Sequence, residues 1–452
     1  MKERRKEDEP LAVPEEAIRH GERRPQWDWV EPSVWNERML EALNQGPQGG
    51  RWYSLIDKVG KGANLLAAWQ RVRRNGGAPG VDRVTIEMFE ARLRENLAKI
   101  GDEVRSGNYR PQAVRRVMIP KPGRPGEERP LGIPTVRDRV VQTAMRNVLE
   151  PIFEVGFAEH SYGFRPGRGA KDALRQVDRA IKDGKVHVVD ADLKAYFDSI
   201  PHEKLMERVR ERVVDGRVLA ILQDWLQQQI MDGTASWTPT EGSPQGAVIS
   251  PLLANVYLNE LDHHVAKAGF EMIRYADDFV VLCRDRVSAE AALNLVKEWV
   301  ARAGLTLHPE KTRLVNLDEG EGFTFLGYTF RKNGHWPSDK SEKRLRDAVR
   351  PLTPRMSGES LGRTIAKVNR VLRGWFEYFQ NSRTWVFKGI DGWVRMRLRA
   401  VLWRRSYKGY NRAAAQVIWP TKYFDRAGLF SLTRAHREAT AQQRLPLRPA
   451  LR

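Results

Sequence analysis

The stretch "IRYADDFVVL" (residues 273–282) places two adjacent carboxylates, Asp277 and Asp278, inside an otherwise apolar run. The apolar residues on both sides predict a buried strand, a turn and a second strand. Each carboxylate disfavours ionisation of its neighbour, so the pair needs either a strong cation beside it or an exposed turn. An Asp-Asp pair taken alone is more typical of a turn, and the rest of the chain has to decide.

A second predicted strand offers a partner for this pair. The segment "VHVVDADLKAYF" (residues 186–197) is rich in β-branched residues, and a period of two puts Asp190 and Asp192 on one face. Asp192 lies at the end of the strand, where a carboxylate can leave the core. Carboxylates from two strand ends would suit two Mg²⁺ ions, which prefer oxygen ligands and can clamp the reacting oxygens of a phosphoryl transfer. Spacing alone leaves Asp190 and Asp198 as rivals of Asp192.

The charge balance indicates a polyanionic partner. The 452 residues include 77 Lys and Arg against 57 Asp and Glu, a net charge of +20, which favours a nucleic acid as partner. No apolar run approaches the ~18 residues of a membrane span, and the charged N-terminus does not look like a signal peptide. The single cysteine, Cys283, excludes a disulfide framework and a Cys-rich zinc site. We therefore expect a cytosolic protein of two to four domains, without a membrane partner.

Seven stretches in a fixed order extend the pattern around the Asp pair. In chain order they are "IPKPGRPGEERPLGIPT" (119–135), "SYGFRPGRG" (161–169), "DLKAYFD" (192–198), "SPQGAVISPLLANVYLN" (243–259), "YADD" (275–278), "LTLHPEKT" (305–312) and "FTFLGYTF" (323–330). Together they resemble the motifs of reverse transcriptases encoded by bacterial group II introns, which are also called maturases. The resemblance runs from about Trp29 to about Phe424.

The resemblance implies an α+β fold: a right-hand polymerase with fingers, an antiparallel palm sheet, an α-helical thumb or maturase domain, and a basic DNA-binding tail. The composition shifts after Pro337, and we place one domain boundary near residue 338 and a softer one near 390. The predicted segments are a disordered N-terminus (1–25), an N-terminal extension with fingers (26–185), the palm with part of the fingers (186–338), the thumb (339–390) and the basic region (391–452).

The resemblance also assigns the metal ligands. In this family the first Asp of the "DLKAYFD" motif binds metal, which selects Asp192 and leaves Asp190 and Asp198 as structural residues. Asp277 is the second shared ligand, and Asp278 beside it is expected as a third catalytic and metal-binding residue with a weaker role. The implied cofactor is a pair of Mg²⁺ ions, whose charge would offset the clustered carboxylates.

The same resemblance suggests five residues for the nucleotide site. Phe197 would clash with a ribose 2′-hydroxyl and so favour deoxynucleotides, unless it is an ordinary core residue. Gln245 would lie near the incoming nucleotide and the template. Lys121 and Arg129 could bind the triphosphate, although a solvated loop is the alternative. Lys311 could lie near the leaving pyrophosphate or could be a surface lysine.

Two further regions are expected to contact nucleic acid. Arg165 and Arg168 lie in a Gly-rich loop that could touch the RNA template, with simple turn chemistry as the alternative. In the predicted helix "LGRTIAKVNRVLRGWFEYF" the basic residues share the face opposite the apolar one, without an acidic residue between 361 and 375; they are Arg363, Lys367, Arg370 and Arg373. A solvated face is the alternative to phosphate binding. After residue 391, Arg residues mix with Trp and Tyr in a segment that resembles the DNA-binding part of these proteins.

The function implied is that of an RNA-directed DNA polymerase that also helps its intron RNA to splice and to move by retrohoming. The expected partners are group II intron RNA, an RNA template with a DNA primer, target DNA and dNTPs, in the bacterial cytoplasm or on the nucleoid. Without a C-x-x-C pair we expect no endonuclease domain. Two alternatives stay open: a maturase that acts mainly as an RNA-binding splicing factor, and a domesticated reverse transcriptase in defence or repair.

Overall fold

The structure is a computed structural model, and it describes residues 27–45, 50–120, 126–356, 358–406 and 411–444. The first 25 residues, predicted to be disordered, and Lys121 lie outside the described residues. The described part is a mixed α+β fold with three β-sheets, followed by a C-terminal helical region. None of its helices is both long and apolar enough to cross a membrane.

The N-terminal third is helical and packs around one buried helix. Its helices are α1 (Glu37–Gln45), α2 (Ile56–Val59), α3 (Gly62–Asn75), α4 (Ile86–Glu90), α5 (Leu93–Ser106) and α6 (Val136–Glu154). Helix α6 is buried on nearly all sides by the surrounding helices, and its polar residues Asp138, Gln142 and Asn147 are buried together with its apolar ones. Helix α6 begins after Thr135, whose side chain accepts a hydrogen bond from the backbone N–H of Asp138 and so caps the helix.

The predicted hairpin is present and belongs to a small mixed sheet. Strands β1 (Val114–Pro120) and β2 (Glu128–Ile133) pair antiparallel, as the Gly/Pro loop between two extended segments predicts. Two short strands complete this sheet in the order β2-β1-β4-β5; they are β4 (Ile230–Asp232) and β5 (Ala235–Trp237). The helices that the sequence predicts across 203–229 are α9 (His202–Arg210) and α10 (Gly216–Leu226), and the Asp215 side chain caps the second of them.

The central sheet is antiparallel, as expected for a palm, and has the strand order β6-β7-β3-β8. Its strands are β3 (His187–Asp192), β6 (Glu271–Tyr275), β7 (Asp278–Cys283) and β8 (Arg313–Asn316). Around them lie α7 (Ala170–Lys182), α8 (Tyr196–Ser199), α11 (Ser250–Lys267) and α12 (Arg286–Arg302). The sheet has a hydrophobic cluster on each face, since Val189 and Val281 join one cluster and Val188 and Val280 join the other.

A three-stranded sheet leads into the C-terminal helices. It has the order β11-β10-β9, with strands β9 (Phe323–Phe325), β10 (Tyr328–Arg331) and β11 (Gly334–Pro337). The helices are α13 (Asp339–Val349), α14 (Leu361–Phe379), α15 (Thr384–Ser406), α16 (Arg412–Ile418), α17 (Thr421–Arg426) and α18 (Leu432–Arg444). The boundary predicted near 338 falls between β11 and α13.

The softer boundary predicted near 390 is wrong. Helix α15 runs continuously through that position, and one hydrophobic core joins residues from Leu345 to Leu432. Asp391 is buried and accepts hydrogen bonds from the backbone N–H groups of Leu432 and Thr433. The charge shift at 390 therefore reflects the exposed face of α15, whereas its buried face continues the same core.

Candidate active site

Asp277 and Asp278 lie at a tight turn between β6 and β7. Tyr275 pairs with Asp278, which leaves Ala276 and Asp277 as the two loop residues. Ala276 has a φ of 60°, a positive value of the kind that two-residue hairpin turns require at their first loop position. A positive φ strains a residue other than glycine, so neighbouring groups must hold this turn in place.

Arg274 supplies much of that support. Its side chain is fully buried and forms an ion pair with Asp262, with an Nη2–Oδ2 distance of 2.5 Å. The Nη1 group donates to the carbonyl oxygen of Ala276, inside the turn, and to the Asn255 side chain, each at 2.9 Å. A further Nη2 hydrogen bond of 2.8 Å goes to the Ser161 hydroxyl. With the Nε bond to Asp262, all five N–H donors of the guanidinium have acceptors.

The backbone of the "SYGFRPGRG" loop packs directly against the same turn. A Cβ atom at Gly163 would lie 2.2 Å from the backbone nitrogen of Ala276, so only glycine fits there. The Asn255 side chain donates to the Gly163 carbonyl oxygen at 2.8 Å, and the Tyr162 N–H donates to the Arg274 carbonyl oxygen at 2.9 Å. This loop therefore positions the Asp277 turn, a role that the sequence did not predict.

The register of the central sheet brings Asp192 beside the pair. Asp192 lies directly opposite Asp278 in the β3–β7 ladder, so their side chains share one face of the sheet. Burial, and next the negative charge of Asp192, raise the pKa of Asp277. Burial also raises the pKa of Asp278 to about 7, with further contributions from Asp192, Asp190 and Asp277. Three carboxylates thus lie close enough to oppose one another's ionisation.

The two rivals of Asp192 have other partners. Asp190 lies opposite Arg313 on β8 and forms an ion pair with it at 3.2 Å. The Asp198 carboxylate accepts a hydrogen bond of 3.2 Å from the Gln245 side chain. Asp192 instead contacts the half-exposed Lys311, because the segment after Leu305 runs alongside Asp192 and His308 donates its N–H to the Asp192 carbonyl oxygen. Lys311 is therefore next to the carboxylate cluster.

A cavity of about 580 Å³ opens beside Lys311. Its lining includes Arg129 on β2, Lys194, Gln245 and His308. Arg129 is exposed, and it adds a cation to Lys311 and Lys194 in a cavity whose volume lies within the usual range of ligand pockets. The Gln245 loop is held against β2, because Gly132 donates its N–H to the Gln245 carbonyl oxygen at 2.6 Å. The structure thus brings together two of the predicted nucleotide-binding residues, Arg129 and Gln245.

Phe197 is partly buried and lies at the edge of the larger hydrophobic core. Its ring makes edge-to-face contacts with Tyr196 and with Phe164, at centroid distances of 5.6 and 6.2 Å. Phe164 is exposed despite its size and has a φ of 59°, and sequence reasoning did not identify it. Ala195, Ala276 and Leu326 also have positive φ, so four of the six such non-glycine residues in the described ranges surround the carboxylates.

The prediction that Arg165 touches a template needs correction. Its guanidinium is buried, forms an ion pair with Glu154 at 2.7 Å, and donates to the carbonyl oxygens of Ala158 and Ser161. With its donors engaged in this way, Arg165 holds the loop together and presents no donor to a ligand. Arg168 is partly exposed, contacts the Glu159 carbonyl oxygen, and lies over the Tyr162 ring at 5.8 Å.

The predicted basic face is found on α14. The side chains of all four residues are exposed, and Ile365, Val368 and Leu372 on the opposite side are buried; the four are Arg363, Lys367, Arg370 and Arg373. Two of them have partners that the sequence did not suggest. Lys367 forms an ion pair of 2.7 Å with Glu359, just before the helix, and Arg373 lies 4.6 Å from the centroid of the Phe430 ring.

The carboxylate cluster fits a divalent metal ion in its charge and its donor type. Asp192 and Asp277 present oxygen donors and an excess of negative charge that Lys311 offsets only in part. Among the residues that the structure describes, no three His, Cys, Asp or Glu side chains could hold a metal by themselves. This donor set suits Mg²⁺, which takes one or two carboxylates and completes its shell with water and phosphate oxygens.

Comparisons with known proteins identify the family of the chain. The pattern of the reverse transcriptase (RNA-dependent DNA polymerase) family matches residues 119–330, and that of the group II intron maturase-specific domain matches residues 342–419. Protein YkfC of Escherichia coli is 34% identical over 341 residues, which cover 67% of this chain and 85% of YkfC. The chain belongs to the group II intron reverse transcriptase/maturase family.

Two longer relatives match a smaller part of this chain. The group II intron-encoded protein LtrA of Lactococcus lactis is 36% identical over 46% of this chain, and the match covers 34% of LtrA. An uncharacterized 91 kDa protein in the cob intron of Schizosaccharomyces pombe is 37% identical over 44% of this chain and 24% of its own length. This reverse transcriptase/maturase therefore combines an RNA-directed DNA polymerase domain, from a generally divalent-metal-dependent family, with a maturase domain that handles nucleic acid.

Proposed function

We propose that this reverse transcriptase copies RNA into DNA with two Mg²⁺ ions held between Asp192 and Asp277. The observation that carries the proposal is the convergence of these two carboxylates from different strands, where burial and then the charge of Asp192 raise the pKa of Asp277. When bound, the ions neutralise charge on the attacking and leaving oxygens of nucleotidyl transfer. Asp278 would have a weaker role beside Asp277. Burial raises its pKa to about 7, and the side chain would help to hold the turn and to set the negative charge of the site.

The remaining side chains would bind and orient the nucleotide. Arg129 and Lys311 line one cavity and would contact the triphosphate, and Lys311 would exchange its contact with Asp192 for a phosphate oxygen. Lys121 would join them by the family resemblance alone. Gln245, held by Asp198, would fix the base of the incoming nucleotide.

Phe197 would select the sugar. Its ring is only partly buried and lies three residues beyond Lys194, which lines the nucleotide cavity. The contacts with Phe164 and Tyr196 hold the ring on two sides, so it cannot easily turn away from a ribose 2′-hydroxyl. A rigid ring at that place would favour deoxynucleotides.

The C-terminal helices would hold the nucleic acids. The exposed basic face of α14 would grip the primer–template phosphates, with Arg168 as a further contact to the template strand. Binding of group II intron RNA by the same protein would assist splicing and retrohoming into target DNA. The match to the maturase-specific domain over residues 342–419 supports this second role.

Isosteric substitutions test the metal assignment. Asp192→Asn and Asp277→Asn should each abolish primer extension in Mg²⁺ on poly(rA)/oligo(dT), because each removes a charge that binds metal. Binding of a labelled RNA/DNA duplex should stay close to wild type, since neither residue belongs to the basic surface. Primer extension that persists in either variant would refute the assignment.

Asp190→Asn is the matched control. It removes the same charge from the same strand, but from the carboxylate that is paired with Arg313. We expect this variant to keep most of the wild-type extension rate. An equal loss in Asp190→Asn and Asp192→Asn would show that the assay reports the electrostatics of the strand rather than metal binding.

A further inference from the structure

A basic groove lies between α15 and α16, away from the carboxylate cluster. Its volume is about 720 Å³, and its lining includes Lys388, Trp393, Arg395, Met396 and Arg412. None of these residues belongs to the α14 face or to the nucleotide cavity. The sequence had suggested that the segment after 391 is basic, rich in aromatic residues and similar to the DNA-binding part of these proteins, but it had not indicated a particular site.

Three cations of this groove are not neutralised. Within the described ranges, Lys388, Arg395 and Arg412 take part in no ion pair, and no acidic side chain lines the groove. Asp391, the acidic residue nearest in sequence, is buried and directed to the start of α18 through Ser431 and Leu432. Cations grouped without an acid repel one another, and an anionic ligand would relieve that repulsion.

Two glycines leave the floor of the groove open. Gly389 and Gly392 lie within α15, one of the longest helices in the described chain, and a Cβ atom at either would meet no atom within 4 Å. Glycine inside a helix lowers stability relative to alanine, and neither position has the positive φ that would require it. Because these two glycines have no side chain, they leave helix backbone uncovered between the cations, and a ligand backbone can approach it closely.

We propose that this groove binds a short single strand of RNA through its phosphates. Lys388, Arg395 and Arg412 would contact the phosphates, and the partly exposed Trp393 ring would offer a face for one base. The volume suits a few nucleotides of one strand rather than a duplex. Gln416 and Thr421 on the opposite wall add neutral hydrogen-bonding groups that can meet ribose 2′-hydroxyls, which DNA lacks.

The proposal rests on the proposed function in one respect, since it assumes that the protein handles RNA. It differs from the grip on primer–template, because the groove would hold RNA that is not being copied. The residues involved fall within or beside the maturase-specific match at 342–419.

Two variants test the groove in the full-length protein, with a labelled 12-nucleotide mixed-sequence RNA and the matching DNA as probes. The first is the triple change Lys388→Gln, Arg395→Gln and Arg412→Gln, which should lower the log–log salt slope of RNA binding by roughly 2, at about 0.7 per contact. The second, Gly392→Leu, fills the groove without changing charge. It should weaken RNA binding while the melting temperature stays equal or rises, because leucine favours helix.

The matched control removes three exposed cations from α11 and α12 through Lys267→Gln, Lys297→Gln and Arg302→Gln. It should leave the RNA salt slope near wild type. Primer extension on poly(rA)/oligo(dT) should be unchanged in both groove variants, and its absence in the wild type would count against the proposed function alone. Equal effects of groove and control variants, a larger loss for DNA than for RNA, or a parallel loss of primer extension would each overturn the groove assignment.

Discussion

The turn that carries Asp277 and the basic face of α14 use the same kind of side chain in opposite ways. Arg274 is fully buried, and each of its donors has a protein acceptor. Arg363 and Arg370 are exposed on α14, without a side-chain partner among the described residues. A satisfied buried arginine fixes geometry, whereas an unsatisfied exposed one is available to a ligand. The position of an arginine, rather than its presence, therefore indicates its role.

The largest effect is expected where the buried arginine is removed. Arg274→Met should abolish primer extension and lower the free energy of unfolding by roughly 3–5 kcal/mol, because Asp262 would remain as an uncompensated buried charge. Thermal unfolding and primer extension measure the two consequences. Near-wild-type extension by a folded Arg274→Met protein would contradict the support that we assign to Arg274.

A double variant separates folding from positioning. Arg274→Met with Asp262→Leu removes both charges, and apolar replacement of a buried pair is often neutral for stability. We expect the melting temperature to recover while extension stays low, with the loss in kcat rather than KM, because the Ala276 carbonyl oxygen would lack its donor. Recovery of stability and activity together would limit Arg274 to a structural role.

Substitutions on the basic face of α14 should have the next largest effect, and they should weaken nucleic-acid binding alone. Changing Arg363, Lys367, Arg370 and Arg373 to Gln keeps helix propensity nearly constant, so thermal stability should move little. For an RNA/DNA duplex the salt slope should fall by roughly 1.8 to 3.6, at about 0.9 per contact for two to four contacts. The lower value applies if Lys367 and Arg373 stay with Glu359 and Phe430. An unchanged slope across a salt series would show that the basic face of α14 is solvated and does not bind phosphates.

Phe197 tests a site between these two extremes, since its ring is half-buried and held by other rings. Phe197→Ala should raise ribonucleotide incorporation relative to deoxynucleotide incorporation by roughly tenfold, as expected for a pocket that excludes one hydroxyl group. Tyr196→Phe is a suitable control, because it keeps the neighbouring ring. If the ratio of the two rates does not change, Phe197 is a core residue and sugar selection lies elsewhere.

The smallest effect concerns an ion pair at the edge of the palm. Asp178 on α7 lies 3.3 Å from the His335 imidazole on β11, and this contact, followed by the one with Lys182, lowers the pKa of Asp178 to about 2. A carboxylate with a lowered pKa stabilises the fold above its unfolded pKa, and that stability is lost as the pH falls towards 2. Asp178→Asn should therefore cost at most about 2 kcal/mol at pH 6 and little at pH 2. Equal destabilisation at both pH values would exclude this ion pair as the cause.

The sequence predicted what depends on local pattern and order. The β6–β7 turn follows from short apolar runs around fixed polar positions, and the antiparallel palm sheet was implied by the family resemblance of the ordered motifs. Asp192 was selected over Asp190 by resemblance alone. The structure adds the physical difference, which is the Arg313 partner of Asp190.

The sequence did not predict what depends on distant contacts. In the sequence, Arg274 cannot be distinguished from the other cations of a basic chain. Its partners Ser161, Asn255 and Asp262 come from other elements of the fold. A charge in the middle of a buried strand was the available signal, since such a charge requires a partner. The prediction for Arg165 was wrong for the opposite reason. Its Gly-rich loop suggested an exposed side chain, whereas the fold buries that side chain.

The central claim is that the carboxylate turn performs the chemistry and the basic face performs the binding. The most direct test is the rate of primer extension as a function of poly(rA)/oligo(dT) concentration, at low salt, for Asp277→Asn and for the quadruple Gln variant of α14. We predict that rising substrate concentration restores the quadruple variant towards the wild-type maximum and leaves Asp277→Asn without activity. Recovery of Asp277→Asn at high substrate concentration, or a quadruple variant whose maximal rate stays low, would contradict this division.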